Sequence, residues 1–496
     1  MNRRDFISRS AASAVIAPLA FGIPGAVAAD AAAPASSGAG RSAGKAKNVI
    51  FMVADGMSFG TLMLGDLLIQ LRENRRAYWV QLMARQGTRR ALVDTRSADG
   101  FVTDSAAAST AWGIGELVNN GKVGLTPDGR MPTPILLHAK QNGKATGLVT
   151  TTRITHATPA GFSSNVPTTR DDESAIAEQM LARRYDVLMG GGSRFFDNTL
   201  LATRPDLHVL RSAKDVAAWE GQREGRASPL LGIFTGSHMS FDIDRVHAAL
   251  DEPSLTDMVR VSLEHLTRLG GAEGFVMQVE GGRVDHGGHY NDAAGLIYDL
   301  VAFDNAVKVA MDYADAHPDT LLMITADHAT GNPGLTEYGP KGIDMFQKVL
   351  GFRHTFEWLE KKLGGKRTLD GGEPPEFLGA NVVKHRSCKF TPDEMADLTK
   401  EASGLDLATA EIDMLVRWRE GEVVSPFGLG NSRFGPLGSV LANHTAVAFL
   451  SPNHTADPVE LTAVGPGSAA LPQRLAINEI HKVMVEAMGL AAAKPA

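Results

Sequence analysis

The chain has 496 residues and a net charge of −7, and 44% of its residues are hydrophobic and 21% charged. These values are ordinary for a large soluble enzyme and leave enough apolar residues for a sizeable core. The negative net charge gives no electrostatic support for nucleic-acid binding, and the lone cysteine, Cys388, excludes an intramolecular disulfide.

The first 28 residues predict a twin-arginine-type signal peptide. Arg3-Arg4 precede the apolar stretch 11–27, and Ala26-Val27-Ala28 is typical of a cleavage site. The stretch is too short and too weakly apolar for stable membrane insertion. Residues 29–46 are rich in alanine, serine and glycine and predict a disordered linker. We therefore expect a periplasmic or secreted protein.

Residues 47–490 predict one domain in which short apolar runs alternate with helical segments. The runs occupy residues 48–54, 145–149, 186–189, 275–279 and 320–326. Nearly continuous apolar runs between helices are typical of parallel strands covered on both faces. The sequence therefore predicts a three-layer α/β/α sandwich with a central, mostly parallel sheet.

Residues 101–111 (FVTDSAAASTA) predict a helix that begins at Asp104 or Ser105, because the alanine-rich stretch favours helix. The Ser105 hydroxyl then lies at a helix N-terminus, where free N–H groups and the dipole favour anions. A metal ion on this oxygen would favour the alkoxide and make the serine a nucleophile. A capping serine without a chemical role fits the same residues, which do not decide between the two.

Three predicted strands end in a carboxylate: Asp55, Glu280 and Asp327. The carboxyl ends of parallel strands meet at one edge of a sheet, where ligands bind. Acids that converge there need cations to offset their charge.

The sequence offers further residues that can bind metal ions. Asp285 and His289 are four residues apart and can face one metal ion from a helical turn, and His328 follows Asp327 directly. Asn453 to Asp457 form another group. Each group alone is ambiguous, but together they offer donors for more than one metal ion.

The segment from about 338 to 441 is rich in glycine, proline and charge, unlike the alternating pattern around it. Helical pieces are predicted at 345–363 and 408–419. We interpret the segment as an inserted cap, or crown, over the edge of the sheet.

The chain resembles the alkaline phosphatase family in six motifs that occur in the family's order. They are Asn48–Met57, Thr103–Ala107, Thr155–Ala160, Glu280–His286, Ala326–His328 and His454–Ala456. The resemblance extends from about residue 48 to 467 and implies a metal-dependent phosphate-monoester hydrolase. Its substrates would be small phosphate esters, cleaved through a phosphoserine at Ser105.

The resemblance also implies two zinc ions and one magnesium ion. The ligands it implies are Asp285, His289 and His454 for one zinc ion, Asp55, Asp327 and His328 for the second, and Thr158 and Glu280 with bridging Asp55 for magnesium. Arg170 would bind the phosphate and Asp104 would orient it, although the spacing to Arg170 is one residue longer than in familiar members.

Some neighbouring residues have other interpretations. His444 lies in a second Asn-His-Thr-Ala and competes with His454, which is favoured by the residues that follow it. His156 and His286 match the family's His/His type and are expected beside the third metal ion rather than on it. Arg153 is interpreted as a surface charge and Arg283 as a loop brace.

Two alternatives remain. A phosphodiesterase shares the sheet and the metal ligands, but such members usually use a threonine nucleophile and lack the Thr158 and Glu280 set. A non-catalytic metal-binding or phosphate-binding protein is the other, and Ser105 beside all the ligand positions argues against it. Oligomeric state stays open; many relatives are dimers, so a homodimer is one expectation.

Overall fold

The computed structural model describes residues 45–220, 227–362, 391–425, 430 and 432–490. The predicted signal peptide and Cys388 lie outside the described residues, as does the predicted linker up to residue 44. Ala46, within the predicted linker, is buried, and its N–H donates to the carbonyl of Ala487 at 2.7 Å. The packed domain therefore begins slightly before residue 47.

The described residues form strands and helices in alternation. The strands are β1 (Asn48–Val53), β2 (Arg89–Asp94), β3 (Ala145–Arg153), β4 (Val187–Gly191), β5 (His208–Leu210), β6 (Leu230–Ile233), β7 (Phe275–Glu280), β8 (Thr320–Thr325), β9 (Ala329–Thr330), β10 (Gly334–Leu335), β11 (Val447–Ala448), β12 (His454–Thr455), β13 (Val459–Val464) and β14 (Arg474–Ala476).

The helices lie in the connections between these strands and after the last one. They are α1 (Phe59–Glu73), α2 (Tyr78–Ala84), α3 (Ser105–Ile114), α4 (Ile135–Gln141), α5 (Ala157–Ser163), α6 (Glu173–Ala182), α7 (Asn198–Leu201), α8 (Ala213–Glu220), α9 (Asp242–His247), α10 (Leu255–Gly270), α11 (Arg283–Tyr290), α12 (Ala293–Ala316), α13 (Gly339–Gln347), α14 (Phe356–Lys362), α15 (Pro392–Ser403), α16 (Thr409–Arg419), α17 (Gly435–Thr445) and α18 (Glu479–Met488). Short 3₁₀ turns occupy Ser193–Phe195, Lys348–Gly351 and Ser468–Ala470.

Within the described residues, ten strands form one sheet in the order β14-β2-β13-β8-β1-β7-β3-β4-β6-β5. Every pair in this sheet is parallel except those of β13, which runs antiparallel to β2 and β8. The prediction of a mostly parallel central sheet is confirmed.

Helices cover both faces of the sheet. On one face the Phe51 ring packs on Trp112 of α3 and Phe162 of α5, with ring centroids 5.1 and 5.8 Å apart. Side chains alternate between faces along a strand, so Gly147 and its register partner Met277 point the other way. There α10 packs closely, because a Cβ on Gly147 would lie 2.6 Å from Leu266. The predicted three-layer α/β/α arrangement is confirmed.

The register of the central strands brings the sequence-distant acids to one edge. Val53 at the end of β1 pairs with Glu280 of β7 on one side and with Thr325 of β8 on the other. Asp55 and Asp327 each follow these ends by two residues. All three carboxylates therefore leave the sheet at the same place.

The helical stretch predicted at 345–363 is interrupted in the structure. The structure has α13 and α14 there, separated by a 3₁₀ turn and the extended residues 352–355. Two acids from other elements hydrogen-bond to the backbone at this break: the buried Asp292 accepts from the N–H of Phe356 at 2.7 Å, and the half-buried Asp244 accepts from the N–H of Thr355 at 3.2 Å. Tertiary partners thus outcompete the helical pattern. The helix predicted at 408–419 is present as α16.

No helix in the described part of the chain combines the length and hydrophobicity that crossing a membrane requires.

Candidate metal and phosphate site

The first group of ligand types, called here the strand cluster, consists of Asp55, Asp327 and His328. One ligand atom of each lies within 4.8 Å of the others, and all three side chains are buried. Asp327 Oδ1 accepts from the N–H groups of Gly56 and His328, both at 3.0 Å. These bonds leave Asp327 Oδ2 facing His328 Nε2 at 3.1 Å. The strand ends thus aim oxygen and nitrogen donors at one point.

The second group, called the helix cluster, consists of Asp285 and His289 on α11 together with His454. His289 Nδ1 is 2.7 Å from the carbonyl of Pro452, and His454 Nδ1 is 2.8 Å from that of Thr103. Each Nδ1–H therefore donates to a carbonyl, which leaves Nε2 to act as a ligand. The two Nε2 atoms are 3.0 Å apart and lie 3.3 and 3.5 Å from Asp285.

The third group, called the oxygen cluster, consists of Asp55, Glu280 and Thr158. Thr158 Oγ1 is 3.4 Å from Asp55 Oδ2, and Glu280 Oε2 accepts from the hydroxyls of Thr150 and Thr152. A ring nitrogen of His156 also lies within 4.8 Å of the two carboxylates. Asp55 thus belongs to two clusters and connects them.

Burial and mutual repulsion make the acids hard to ionise together. Burial, followed by the charges of Asp327, Asp285 and Glu280, raises the pKa of Asp55 well above its usual value. Burial also raises the pKa of Glu280, and it raises that of Asp327 to about 6. Because these acids crowd one edge, a positive charge among them would relieve both effects.

The helix cluster behaves differently, because it contains its own ion pair. Burial opposes ionisation of Asp285, but the charge of His289 and hydrogen bonds from His289 and His454 hold its pKa well below the usual value. Burial likewise opposes the charge on His289, but Asp285 and the Pro452 carbonyl raise its pKa to about 9.

The residues present fit divalent cations. Asp55 Oδ1, Glu280 Oε1 and Asp327 Oδ2 are buried and have no hydrogen-bond partner among the described residues. A cation supplies the partner that such oxygens lack. Mixed carboxylate and imidazole donors in the strand and helix clusters suit zinc, and the oxygen-only donors of the third suit magnesium.

Ser105 lies at the N-terminus of α3, as the alanine-rich sequence predicts. Asp104 is the N-cap, and its Oδ1 accepts from the N–H of Ala107 at 2.8 Å. Ser105 Oγ lies 3.2 Å from His328 Nε2. The hydroxyl thus stands between a helix N-terminus and the strand cluster.

Arg170 reaches the same place from the loop before α6. Its Nη1 donates to Asp104 Oδ2 at 3.0 Å, and its Nη2 lies 3.2 Å from His156 Nε2. The side chain is 22% exposed, so part of its donor edge faces solvent. A guanidinium beside a helix N-terminus is suited to phosphate oxygens.

The structure separates residues that the sequence left in competition. His454 stacks on His328 with ring centroids 3.6 Å apart, whereas His444 lies on α17 and contacts Glu411 at 2.9 Å.

The interpretation of Arg153 as a surface charge is wrong, because its side chain is 14% exposed and pairs with Glu173 at 2.6 Å. Arg283 is a buried brace: it pairs with Glu357 and lies 3.8 Å from the Phe241 ring centroid.

Sequence reasoning missed several residues that contact the clusters. Thr330 Oγ1 donates to Asp285 Oδ1 at 2.6 Å, and His238 lies with its ring centroid 4.4 Å from that of His286. Thr150 and Thr152 had a usable signal, since polar residues interrupt an apolar strand there. His238 had none, because it is a single histidine in a polar loop far from every motif.

Comparison with known proteins gives consistent matches. A family model described as alkaline phosphatase matches residues 46–353. The chain is 28% identical to alkaline phosphatase 3 of Bacillus subtilis over 89% of each protein. It is 34% identical to the repressible alkaline phosphatase of Saccharomyces cerevisiae over 64% of this chain, which spans 62% of the yeast protein. The crystal structure of Thermus thermophilus alkaline phosphatase superposes with a TM-score of 0.78 at 30% identity, covering 93% of this chain and 96% of that one.

Proposed function

This chain belongs to the alkaline phosphatase family, and from that premise we propose that it hydrolyses phosphate monoesters with Ser105 as the nucleophile. The predicted family is confirmed, and at the level of the family so is the prediction of a phosphatase enzyme. The observation that carries the proposal is Ser105 Oγ at 3.2 Å from His328 Nε2, at the N-terminus of α3.

We assign the metal ligands by cluster. The strand cluster and the helix cluster would each hold zinc, and the oxygen cluster would hold magnesium. When bound, these cations neutralise the phosphate and the charge that develops on the attacking and leaving oxygens. The orphaned oxygens of Asp55, Glu280 and Asp327 support this assignment.

The chain's own residues bind and orient the ester. The free N–H groups at the start of α3 and the guanidinium of Arg170 hold the phosphate oxygens. Asp104 positions both, because it caps α3 and accepts from Arg170. The buried position of Ser105 restricts competing water.

Two displacements complete the reaction. Ser105 Oγ forms a bond to phosphorus, the ester P–O bond breaks, and the leaving alcohol takes up a proton. Water then attacks the phosphoserine, the Ser105 Oγ–P bond breaks, and inorganic phosphate leaves. Ser105 regains its proton, so the enzyme returns to its starting state.

Monoesters are favoured over diesters by the oxygen cluster. Thr158 lies beside Asp55, and Glu280 is held by threonine hydroxyls, which supports a third cation site. A third cation adds positive charge that suits a dianionic phosphate better than a monoanionic one. A phosphodiesterase remains the alternative.

We also propose export by the twin-arginine-type signal at residues 1–28 and a homodimer as the assembly. Exposed hydrophobic side chains on neighbouring elements, Phe59 and Met63 of α1 and Leu335 of β10, support an apolar contact surface. Light scattering on the mature protein tests the dimer, since a monomer mass would contradict it.

Cell fractionation tests export by comparing the unchanged chain with a variant in which lysine replaces both Arg3 and Arg4.

Turnover of p-nitrophenyl phosphate against bis-p-nitrophenyl phosphate tests the activity, using mature protein loaded with zinc and magnesium. We expect a strong preference for the monoester and a loss of about a thousandfold in Ser105→Ala. Ser109→Ala is the matched control, because Ser109 lies on the same helix and donates only to backbone carbonyls, such as that of Ala157 at 2.8 Å. A preference for the diester would indicate a phosphodiesterase, and no turnover of either would favour a binding protein.

A further inference from the structure

Three histidines lie together beside Arg170: His156, His238 and His286. One ring nitrogen of each lies within 4.8 Å of the others, and the ring centroids are 4.4 to 6.0 Å apart. By residue type alone they form a candidate site for a further cation, since imidazole is a common zinc ligand. Their hydrogen bonds point to a different ligand.

Each of these rings faces a different arginine. Arg170 Nη2 lies 3.2 Å from His156 Nε2, Arg283 Nη1 lies 2.7 Å from His286 Nδ1, and Arg153 Nη1 contacts His238 Nε2. A guanidinium offers donors only, so the ring nitrogen that faces it must accept. The lone pair of each neutral imidazole is therefore in use, and its other nitrogen carries the proton. A cation would find no free lone pair here.

The second nitrogen of each ring carries the proton and can donate a hydrogen bond. Nδ1 of His156 and Nδ1 of His238 are buried and have no hydrogen-bond partner among the described residues. His286 hydrogen-bonds only to Arg283 within the described part of the chain, so its Nε2–H is also free. Buried donors without partners are rare in native proteins. All three side chains are partly exposed.

The three arginines place positive charge beside the histidines but do not occupy the free N–H groups of the imidazole rings. Each is paired with one acid: Arg170 with Asp104, Arg153 with Glu173 and Arg283 with Glu357. The repeated unit is thus acid, arginine and imidazole, and in every case the imidazole keeps a free donor, as does Arg283 Nε. Such a set of N–H groups suits an anionic oxygen.

We propose that His156, His238 and His286 form a subsite for a second anionic group, a phosphate or carboxylate carried by the substrate's leaving group. The inference rests on the proposed function, which places the transferred phosphate at Ser105. Arg170 joins the two places, because one of its nitrogens donates to Asp104 beside Ser105 and another contacts His156. The preferred substrates are therefore monoesters that carry a second negative charge close to the scissile bond.

A matched pair of inhibitors tests the subsite. Phosphonoacetate and ethylphosphonate have similar size, but only the first carries a carboxylate beside its phosphonate. We expect phosphonoacetate to inhibit p-nitrophenyl phosphate hydrolysis with a Ki about tenfold lower than that of ethylphosphonate. In His238→Phe this advantage should fall to about twofold or less, because the ring remains without a donor. His238→Gln should keep part of it, because its amide donates.

His238 is the position to change, since it does not neighbour a proposed metal ligand in the sequence. His247→Phe is the control, because His247 is an exposed histidine on α9 and the same substitution there should leave the ratio of Ki values unchanged. Equal Ki values for the two inhibitors in the wild-type protein would overturn the subsite. So would an equal change of both Ki values in His238→Phe.

Metal analysis separates the subsite from a cation site. Loss of one metal equivalent in His238→Phe, relative to the wild-type protein, would overturn the proposal in favour of a cation. Failure of the proposed function is a distinct result, because the wild-type protein would then not hydrolyse p-nitrophenyl phosphate. Calorimetric titration with the same two phosphonates would in that case still decide whether the carboxylate is recognised.

Discussion

The strand cluster and the helix cluster hold similar ligand types, but they handle charge in opposite ways. Asp327 and His328 of the strand cluster are fully buried, whereas the His289 side chain of the helix cluster is 34% exposed. Burial raises the pKa of Asp327, while the neighbouring His289 keeps that of Asp285 low. One cluster lacks positive charge, and the other supplies it from a protonated histidine.

The difference follows from the elements that carry each cluster. The strand cluster extends from β1 and β8, which are central and fixed by register on both sides. The helix cluster combines α11 with His454, which is held by the short pairing of β12 with β9. We infer that the strand cluster depends on its cation for stability, whereas the helix cluster can exchange a cation for a proton.

Removing one ligand from each cluster gives the largest expected difference. Asp327→Ala should lower kcat/KM for p-nitrophenyl phosphate by about a thousandfold, because the cation beside Ser105 is lost. His454→Ala should cost about ten- to a hundredfold, and excess zinc should restore much of it, since Asp285 and His289 remain. Activity measured at several zinc concentrations checks both. Equal recovery of activity by zinc in the two variants would contradict the proposed difference between the strand cluster and the helix cluster.

Gly56→Ala should disturb both clusters at once. Gly56 has φ +70°, and an added Cβ would lie 2.7 Å from Thr330 Oγ1 and 2.8 Å from the Cα of Asp285. The backbone strain and the clash together should lower the free energy of unfolding by about 2–4 kcal/mol. Denaturant unfolding measures this loss, and Gly87→Ala is the control, because its φ is +87° but nothing lies within 4 Å of the added atom. An equal loss in both variants would mean that only backbone strain matters.

The metal-free protein should lose stability as pH rises above about 7. The pKa of Asp327 is raised from 3.8 to about 6, and that of His289 from 6.5 to about 9. A group whose folded pKa lies above its unfolded value stabilises the fold at low pH, and this contribution is lost as pH rises through the folded pKa. The melting temperature of the metal-free protein should therefore fall by a few degrees between about pH 7 and pH 9.5, where His289 loses its proton and the histidines whose pKa values burial lowers, such as His238 and His265, no longer titrate.

Thermal scans with and without bound zinc and magnesium check this dependence. Bound cations favour the ionised acids, so the loaded protein should not show the same fall. Asp327→Asn should leave this fall in place, because Asp327, with a pKa of about 6, is largely ionised by about pH 7. A metal-free melting temperature that rises between about pH 7 and pH 9.5 would contradict the raised pKa of His289.

The smallest effect is expected at the histidine that shares a local motif with His454. His444 contacts Glu411 on α16 and lies outside both clusters. His444→Gln should change kcat/KM by less than about twofold and the free energy of unfolding by about 1 kcal/mol or less. Kinetics and denaturant unfolding measure these values beside His454→Gln. A large activity loss at His444 would mean that the two motifs had been assigned the wrong way round.

Much of the fold could be predicted because its signals are local. Apolar runs at 48–54, 275–279 and 320–326 required buried parallel strands, and the acids after them had to share an edge. The helical stretch predicted at 345–363 is interrupted in the structure, because the hydrogen bonds of Asp292 and Asp244 that break it come from distant elements. Helical periodicity carries no information about such partners.

By itself the sequence determined the chemistry available at the sheet edge. Each parallel strand ends where its apolar run ends. The carboxylates of Asp55, Glu280 and Asp327 follow these ends, so they had to lie together at one edge of the sheet. Only the tertiary structure decided which other side chains join them. It brought His238 beside His286, stacked His454 rather than His444 on His328, and paired the half-buried Arg153 with Glu173. The physical reason is that these contacts depend on loop paths and on competition for burial, which act between residues far apart in the chain.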